Sequence, residues 1–201
     1  MSTFDERART WDTSERRQQA EAVADAIRAN VALTHTTRTI EVGAGTGLLG
    51  LTLAGEVGEL VLADPSEGML EVVREKLADG GPPNVTALRF DLTADPPPGD
   101  GFDLALSLLV LHHLPDTGAA LAAILRLLRP SGRLALADLD LEDGSFHGPD
   151  AEGIHHLGFE RHAVADLART VGFIDVEVRT ATEIEREGRR YPLFLLLARH
   201  P

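Results

Sequence analysis

The 201-residue chain has the length of one domain, and its 43% hydrophobic and 25% charged residues are the proportions of a globular protein. A formal net charge of −13 argues against a large nucleic-acid footprint, and the lack of cysteine excludes disulfides and cysteine-ligated metal sites. The longest apolar runs, 104–111 and 193–198, are far short of the ~20 residues of a membrane-spanning helix, and the charged start lacks a signal-peptide core, so we expect a cytoplasmic protein with no membrane partner.

Short apolar, β-branched runs alternate with helical stretches, which is typical of parallel βα units. In chain order, the predicted elements are a helix at 14–32, a strand at 39–42, a helix at 46–55, a strand at 59–63, a helix opening at 65–66, strands at 85–90 and 102–106, a helix at 117–128, a strand at 133–137, a helix at 162–171, and strands at 174–179 and 192–199. No helix of adequate length separates the last two strands, so we expect them to form an antiparallel hairpin. We therefore predict seven strands with helices on both faces.

The first strand ends in a glycine-rich turn, Glu41-Val42-Gly43-Ala44-Gly45-Thr46-Gly47. Glycines permit positive φ and let a ligand approach the main chain, and the following helix offers free N–H groups. A nucleotide-type ligand therefore fits this carboxyl edge of a parallel sheet. The frame Gly45-x-Gly47-x-x-Gly50 also satisfies the dinucleotide-binding pattern, and a purely structural turn is a further alternative. The turn alone does not identify a ligand.

Acidic residues end three of the predicted strands; Glu41 favours a cationic ligand over a dinucleotide, whereas Asp64 is a feature shared with dinucleotide binders. Glu41 precedes the glycines, where a carboxylate would repel a pyrophosphate and attract a cation. Asp64 ends the second strand and either accepts hydrogen bonds from ribose hydroxyls or caps the next helix. Asp91 ends the third strand and either accepts from an exocyclic adenine amine or is an ordinary loop aspartate.

With these motifs in this order, the chain resembles a class I S-adenosylmethionine-dependent methyltransferase of the small bacterial type over about residues 38–140. The matching pieces are the glycine turn, Ala63-Asp64-Pro65-Ser66, Phe90-Asp91-Leu92, 102–114 and 128–133. The resemblance implies a Rossmann-like, three-layer α/β/α sandwich whose seven-stranded, mostly parallel sheet has the order 3-2-1-4-5-7-6 and an antiparallel last strand. Ser131 stands where the family often has a glycine, and we expect no functional consequence there.

The resemblance also implies S-adenosylmethionine as the methyl donor, S-adenosylhomocysteine as the product, and one domain over 1–201 whose first 32 residues cover the donor. Trp11 would shield the donor or anchor the first helix, and an arginine near it, Arg17, would meet the donor carboxylate. Glu41 would orient the glycine turn or meet the donor amino group, and Ser107 would accept from that group through its carbonyl. The donor site implied in this way comprises Trp11, Arg17, Glu41, Gly43, Ala44, Gly45, Gly47, Asp64, Pro65, Met69, Asp91, Leu92, Ser107 and Leu108.

Histidines cluster in two segments that leave the sheet at the same edge. His112 and His113 follow the fourth strand, and His155 and His156 lie in the long irregular segment 138–158. Because imidazole titrates near neutrality, these four are candidate bases or acceptor contacts, and a packing role is the alternative for each. The acids of the same segment have no spacing that matches a metal cage, so we predict no metal site.

The leading hypothesis is methyl transfer to an unidentified small-molecule acceptor, with no nucleic-acid partner. A non-catalytic protein that binds S-adenosylmethionine or S-adenosylhomocysteine, as a sensor or partner subunit, is the alternative. A nicotinamide-dependent oxidoreductase is disfavoured because the only tyrosine, Tyr191, has no lysine near it. The oligomeric state is open, with a homodimer as one option.

Overall fold

One seven-stranded sheet organises the structure, a computed structural model that describes residues 3–147 and 153–201. Its strands are β1 (Arg38–Val42), β2 (Glu59–Asp64), β3 (Val85–Arg89), β4 (Phe102–Leu108), β5 (Leu128–Leu139), β6 (Ile174–Arg186) and β7 (Arg189–Arg199). The order is β3-β2-β1-β4-β5-β7-β6, with the first five strands parallel and β7 antiparallel to both of its neighbours. The predicted fold class and strand order are confirmed.

Six helices cover the two faces of the sheet in the described ranges: α1 (Thr3–Arg7), α2 (Ser14–Asn30), α3 (Leu48–Leu53), α4 (Glu67–Ala78), α5 (Thr117–Leu127) and α6 (Arg161–Val171). Helices α5 and α6 pack on one face, and α2, α3 and α4 pack on the other. Side chains at Thr13, Ser66 and Asp116 accept the N-terminal N–H groups of α2, α4 and α5, so these helices begin where the sequence predicts. None of the helices described has the length and apolarity needed to cross a membrane.

Strand β5 and both strands of the final hairpin are markedly longer than the sequence indicates. Strand β5 begins at Leu128 because this residue pairs with Phe102, and the register with β4 then shifts around an irregular turn. Ser131 in that turn has a φ of 66°, which explains why a glycine suits the position. The β6–β7 hairpin extends to Arg186 and Arg189 because the two residues between them, 187–188, both adopt positive φ and close a tight turn.

Candidate active site

A cavity of about 380 Å³ opens at the carboxyl edge of β1, β2 and β4, where the sequence predicts the ligand site. Its lining comprises Phe4, Trp11, Arg16, Gln19, Ala20, Glu41, Gly43, Ala44, Thr46, Leu48, Leu49, Asp64, Pro65, Ser66, Met69, Leu108, Leu109, Val110, His113 and Leu114. The cavity thus brings together most residues of the glycine turn, the end of β2, the loop after β4 and the N-terminal segment.

The glycine turn approaches the loop after β4 so closely that a side chain has no room. Gly43 has a φ of 66°, and a Cβ atom built on it would lie 2.4 Å from a methyl carbon of Val110. Gly45 has a φ of 55°, and a Cβ atom there would lie 3.7 Å from Trp11 Nε1 and 4.0 Å from Met69 Sδ. The turn, the tryptophan and the methionine therefore enclose one space.

Asp64 ties the glycine turn to the end of β2. Its carboxylate accepts hydrogen bonds from the backbone N–H groups of Gly45 and Ser66, both at 2.8 Å. Burial raises the pKa of this carboxyl group, and the two hydrogen bonds act in the opposite direction. The cap of α4 is Ser66, which accepts from Met69 N at 3.3 Å, so Asp64 does not have the capping role that the sequence left open.

Glu41 is a buried acid in the cavity lining. Only 2% of its surface is exposed, and its Oε2 accepts from Gly50 N at 2.8 Å. Burial raises the pKa of Glu41 to about 8, although the Gly50 hydrogen bond favours the charged form. The group is therefore mostly neutral at pH 7 and would ionise when a cation binds beside it.

The N-terminal segment, defined as residues 3–13, closes over the cavity. Ser66 Oγ donates to Asp5 Oδ1 at 2.6 Å, and Gly68 N donates to the same atom at 3.1 Å. Asp12 accepts from Thr46 Oγ1 in the glycine turn and forms a 2.7 Å ion pair with Lys76 of α4. These contacts explain how the segment is held on the turn and on α4.

Arg16, rather than the predicted Arg17, lines the cavity. The Arg16 guanidinium lies 3.9 Å from the centroid of the Trp11 ring and donates to the Trp11 carbonyl at 2.8 Å. Arg17 points away and pairs with Asp12 at 3.1 Å. Successive residues on a helix are rotated by about 100°, so the neighbouring arginine faces another direction.

Five other predicted donor-site residues lie outside the cavity lining: Gly45, Gly47, Asp91, Leu92 and Ser107. Asp91 accepts from the N–H and hydroxyl groups of Thr93, which lower its pKa. Leu92 belongs to the hydrophobic core. Ser107 is buried, and its hydroxyl donates to the Val42 carbonyl at 3.2 Å. The assigned ligand contacts of these residues stay predictions.

Of the four candidate histidines, His113 alone lines the cavity. His112 lies behind it, with its Nδ1 2.7 Å from Asp138 Oδ1. His156 Nε2 lies 3.0 Å from the Leu114 carbonyl, which a packing role explains, and His155 is exposed.

His147, another histidine of the irregular segment after β5, joins this group. Its ring centroid lies 4.8 Å from that of His112 and 5.9 Å from that of His113, and burial lowers its pKa to about 4. The sequence signal was its place in the same irregular segment as the other loop histidines. In the part of the chain that the structure describes, no three His, Asp or Glu side chains are arranged to hold a metal ion.

Comparisons with known proteins agree with this geometry. Residues 40–134 match a family model described as a methyltransferase domain. The chain is 29% identical over 153 residues to an uncharacterized methyltransferase of Schizosaccharomyces pombe, covering 69% of this chain and 54% of that protein. It is 35% identical over 105 residues to the ubiquinone/menaquinone biosynthesis C-methyltransferase of Shewanella piezotolerans, covering 50% of this chain and 42% of that protein.

The chain thus spans about half the length of these curated relatives. Among solved structures, a SAM-dependent methyltransferase from Aquifex aeolicus has the same fold, with a TM-score of 0.72 at 20% identity and 98% of both chains covered.

Proposed function

We propose that the chain is a member of the class I S-adenosylmethionine-dependent methyltransferase family, that its cavity binds S-adenosylmethionine and that it transfers the methyl group to a small-molecule acceptor. The observation that carries this proposal is the pair of buried acids, Glu41 and Asp64, in one cavity with a glycine turn. Neither acid forms an ion pair within the described ranges. S-adenosylmethionine brings an ammonium, a sulfonium and ribose hydroxyls, which are the groups that such acids bind.

Each acid suits a different part of this donor. Asp64, whose two oxygens are already oriented by Gly45 and Ser66, accepts from the ribose hydroxyls. Glu41 attracts the ammonium group and ionises in doing so, because the new cation stabilises its charged form. A dinucleotide would instead bring a pyrophosphate toward two acids, which is unfavourable.

The N-terminal segment and α2 supply the remaining contacts. Arg16 has no ion-pair partner among the described residues, and its guanidinium is held in the cavity lining by Trp11. It therefore takes the role of the arginine that meets the donor carboxylate. Trp11 and Met69 both lie close to Gly45, where they enclose the donor and exclude water from its sulfonium.

The sulfonium is an electrophile that needs no further activation, so the chain contributes mainly by positioning the acceptor in line with the methyl group. The bond from the methyl carbon to sulfur breaks, its electron pair returns to sulfur, and S-adenosylhomocysteine leaves. A single domain, a cytoplasmic location and a small acceptor rather than nucleic acid remain predictions, and the oligomeric state is open.

Calorimetry with S-adenosylmethionine, S-adenosylhomocysteine and NAD tests the donor. We expect both sulfur compounds to bind and NAD to produce no heat. Release of S-adenosylhomocysteine is then measured across hydroxyl, amine, thiol and carbon acceptors. NAD binding without a response to the sulfur compounds would contradict the proposal, and donor binding without turnover on any acceptor would favour the non-catalytic alternative.

A further inference from the structure

His113 has a fixed tautomer. Its Nδ1 lies 2.8 Å from the Gly153 carbonyl oxygen, which only accepts hydrogen bonds, so the ring proton is on Nδ1. Nε2 is then the basic nitrogen, and no described residue forms a hydrogen bond with it. His113 thus offers one unshared lone pair in the lining of the donor cavity.

The ring of His113 is held in place by its neighbours. It lies 4.1 Å from the His112 ring, centroid to centroid, and 5.4 Å from the perpendicular Phe4 ring. His112 is itself fixed by Asp138. The Nδ1 of His112 lies 2.7 Å from Asp138 Oδ1, and the backbone N–H of His112 donates to Asp138 Oδ2 at 3.2 Å. Both members of this pair are at most 1% exposed, so the His112–Asp138 pair is a rigid support for His113.

The carbonyl that sets the tautomer is also fixed. The backbone N–H groups of His155 and His156 donate to the His112 carbonyl at 3.0 and 3.1 Å. These two hydrogen bonds fasten the segment that carries Gly153 to the residue before His113. The support therefore acts on both the ring and its hydrogen-bond partner.

The charges around His113 keep it neutral. Burial lowers its pKa below 6.5, and the nearby His112 and His155 lower it further, whereas the Gly153 carbonyl and Asp138 raise it. His147 is the other titratable ring within contact distance. In the cavity lining the acids are Glu41 and Asp64, already assigned to the donor, and the cation is Arg16.

The wall beside His113 is apolar. Phe4, Leu109, Val110 and Leu114 line it. Leu109 has a φ of 56°, a conformation that costs energy for leucine and is held by the hydrogen bond from its N–H to the Ala137 carbonyl at 2.8 Å. An apolar acceptor body fits this wall, with its reactive group toward the imidazole.

We propose that His113 is the catalytic base of the reaction and that the acceptor is a phenol-type molecule, an apolar body with a weakly acidic hydroxyl group. This inference rests on the proposed function. An ammonium acceptor would need an acid beside it, and the two acids of the lining serve the donor. A thiol ionises closer to neutrality and needs a base less, whereas a phenol has an ordinary pKa of about 10.

In the proposed step, Nε2 takes the hydroxyl proton while the phenol oxygen forms a bond to the donor methyl carbon. The carbon–sulfur bond breaks, and its electrons become a lone pair of the neutral thioether. The products are the methyl ether, S-adenosylhomocysteine and an imidazolium that returns its proton to water. His112 and Asp138 act as positioning residues for this base.

The test compares His113→Gln with the control His162→Gln, whose imidazole is exposed at the start of α6 and outside the cavity. The probes are substituted phenols in matched pairs, with and without two nitro groups, because a dinitrophenol is ionised near neutrality and needs no base. We expect His113→Gln to slow the protonated phenols by at least about 100-fold and the dinitrophenols by less than about 10-fold. With protonated phenols, the wild-type rate should decrease as the pH is lowered, with a midpoint below pH 6.5. The His113→Gln variant should lack this pH dependence.

Equal slowing of both phenol classes, or no slowing, would overturn the role of His113. Wild-type protein that binds S-adenosylhomocysteine in the calorimeter but methylates no phenol would overturn the acceptor class and leave the donor assignment standing. Absence of donor binding would overturn the proposed function itself. Binding of S-adenosylhomocysteine to His113→Gln, expected within about twofold of wild type, shows that the variant is folded.

Discussion

The cavity has a donor end, lined by Glu41, Gly43 and Asp64, and an acceptor end, lined by His113. The hydrogen bonds that build the two ends join residues at very different separations along the sequence. At the donor end, Glu41 accepts from Gly50, nine residues away, and Asp64 accepts from Gly45, nineteen residues away. At the acceptor end, His112 meets Asp138 over 26 residues and His113 meets Gly153 over 40 residues. The two acids and the glycine turn of the donor end are therefore specified by one βαβ unit, whereas the acceptor end depends on how a long loop returns to the sheet.

The extent of the family match follows the same division. The methyltransferase-domain model covers residues 40–134, which include the glycine turn, Asp64 and both members of the His112-His113 pair. Asp138 and Gly153, the partners of that pair, lie beyond it. Loops can change while the elements that they connect stay the same, so the acceptor end can vary without disturbing the donor end.

The largest effect is expected from Asp138→Ala. The change leaves the buried His112 ring and the backbone N–H groups of His112 and Leu139 without their acceptor. We expect a loss of about 3–5 kcal/mol in the free energy of unfolding, measured by urea denaturation. If the two ends are independent, the affinity for S-adenosylhomocysteine should stay within about twofold of wild type.

The matched control is Asp140→Ala, which removes a partly exposed ion pair with Arg161 and should cost about 1 kcal/mol or less. Asp138→Asn, which keeps one acceptor oxygen, serves as the milder variant if Asp138→Ala does not fold. Similar costs at positions 138 and 140 would show that the buried pair contributes no special support.

At the donor end, Asp64→Ala should lower the affinity for S-adenosylhomocysteine by about 100-fold, because the glycine turn loses its anchor and the ribose loses its acceptor. Calorimetry measures this affinity directly. Asp91→Ala is the comparison, since that carboxylate lies outside the cavity lining and bonds to Thr93. We expect a change of less than about threefold there. A large loss with Asp91→Ala would support the predicted adenine contact.

The two neighbouring arginines give a sharper comparison within the N-terminal part of the donor end. Arg16→Gln should weaken donor binding by about 10-fold through loss of a charge-assisted hydrogen bond to the donor carboxylate. Arg17→Gln removes an exposed ion pair with Asp12 and should leave the affinity within about twofold. The reverse order of effects would show that Arg17 turns into the cavity when the donor binds.

The difference in contact range also explains what the sequence predicts about the fold. The seven strands follow from alternating apolar and helical segments and lie near their predicted positions, whereas the strand order is implied by the family resemblance. The extra length of β5 depends on the pairing of Leu128 with Phe102, and that of the β6–β7 hairpin depends on a non-glycine residue, Glu187, at a φ of 51°. Neither conformation has a local signal, because residues other than glycine seldom adopt positive φ.

The site divides in the same way. Glu41, Gly43 and Asp64 were predicted because a strand followed by a glycine turn fixes where their backbone lies. The sequence does not distinguish Arg16 from Arg17, because which of them lines the cavity depends on the rotation of α2 relative to Thr13 and Trp11. The contact between Asp138 and His112 needs the path of the chain after β5, which no motif describes.

The smallest effect, measured at about pH 5, is expected from Glu41→Gln. The side chain keeps its shape and its acceptor for Gly50 N–H, so at about pH 5 the free energy of unfolding should change by less than about 1 kcal/mol. Burial raises the pKa of Glu41 from 4.5 to about 8, so the folded chain holds a proton that the unfolded chain releases across that interval. The stability that Glu41 contributes is full below pH 4.5 and declines as the pH rises to about 8. The glutamine variant has no such decline and should become the more stable protein at alkaline pH.

Urea unfolding at a series of pH values measures the free energy of unfolding of the wild type and of Glu41→Gln. The difference between the two proteins removes the contribution of every other titrating group. Glu71→Gln, on the exposed side of α4, is the control for the substitution itself. A flat difference for Glu41→Gln would mean that Glu41 is already ionised in the folded chain. A difference that rises with pH would mean that Glu41, at the donor end, is neutral until the ammonium of the ligand binds beside it. Asp138, at the acceptor end, is instead paired with His112 before any ligand binds.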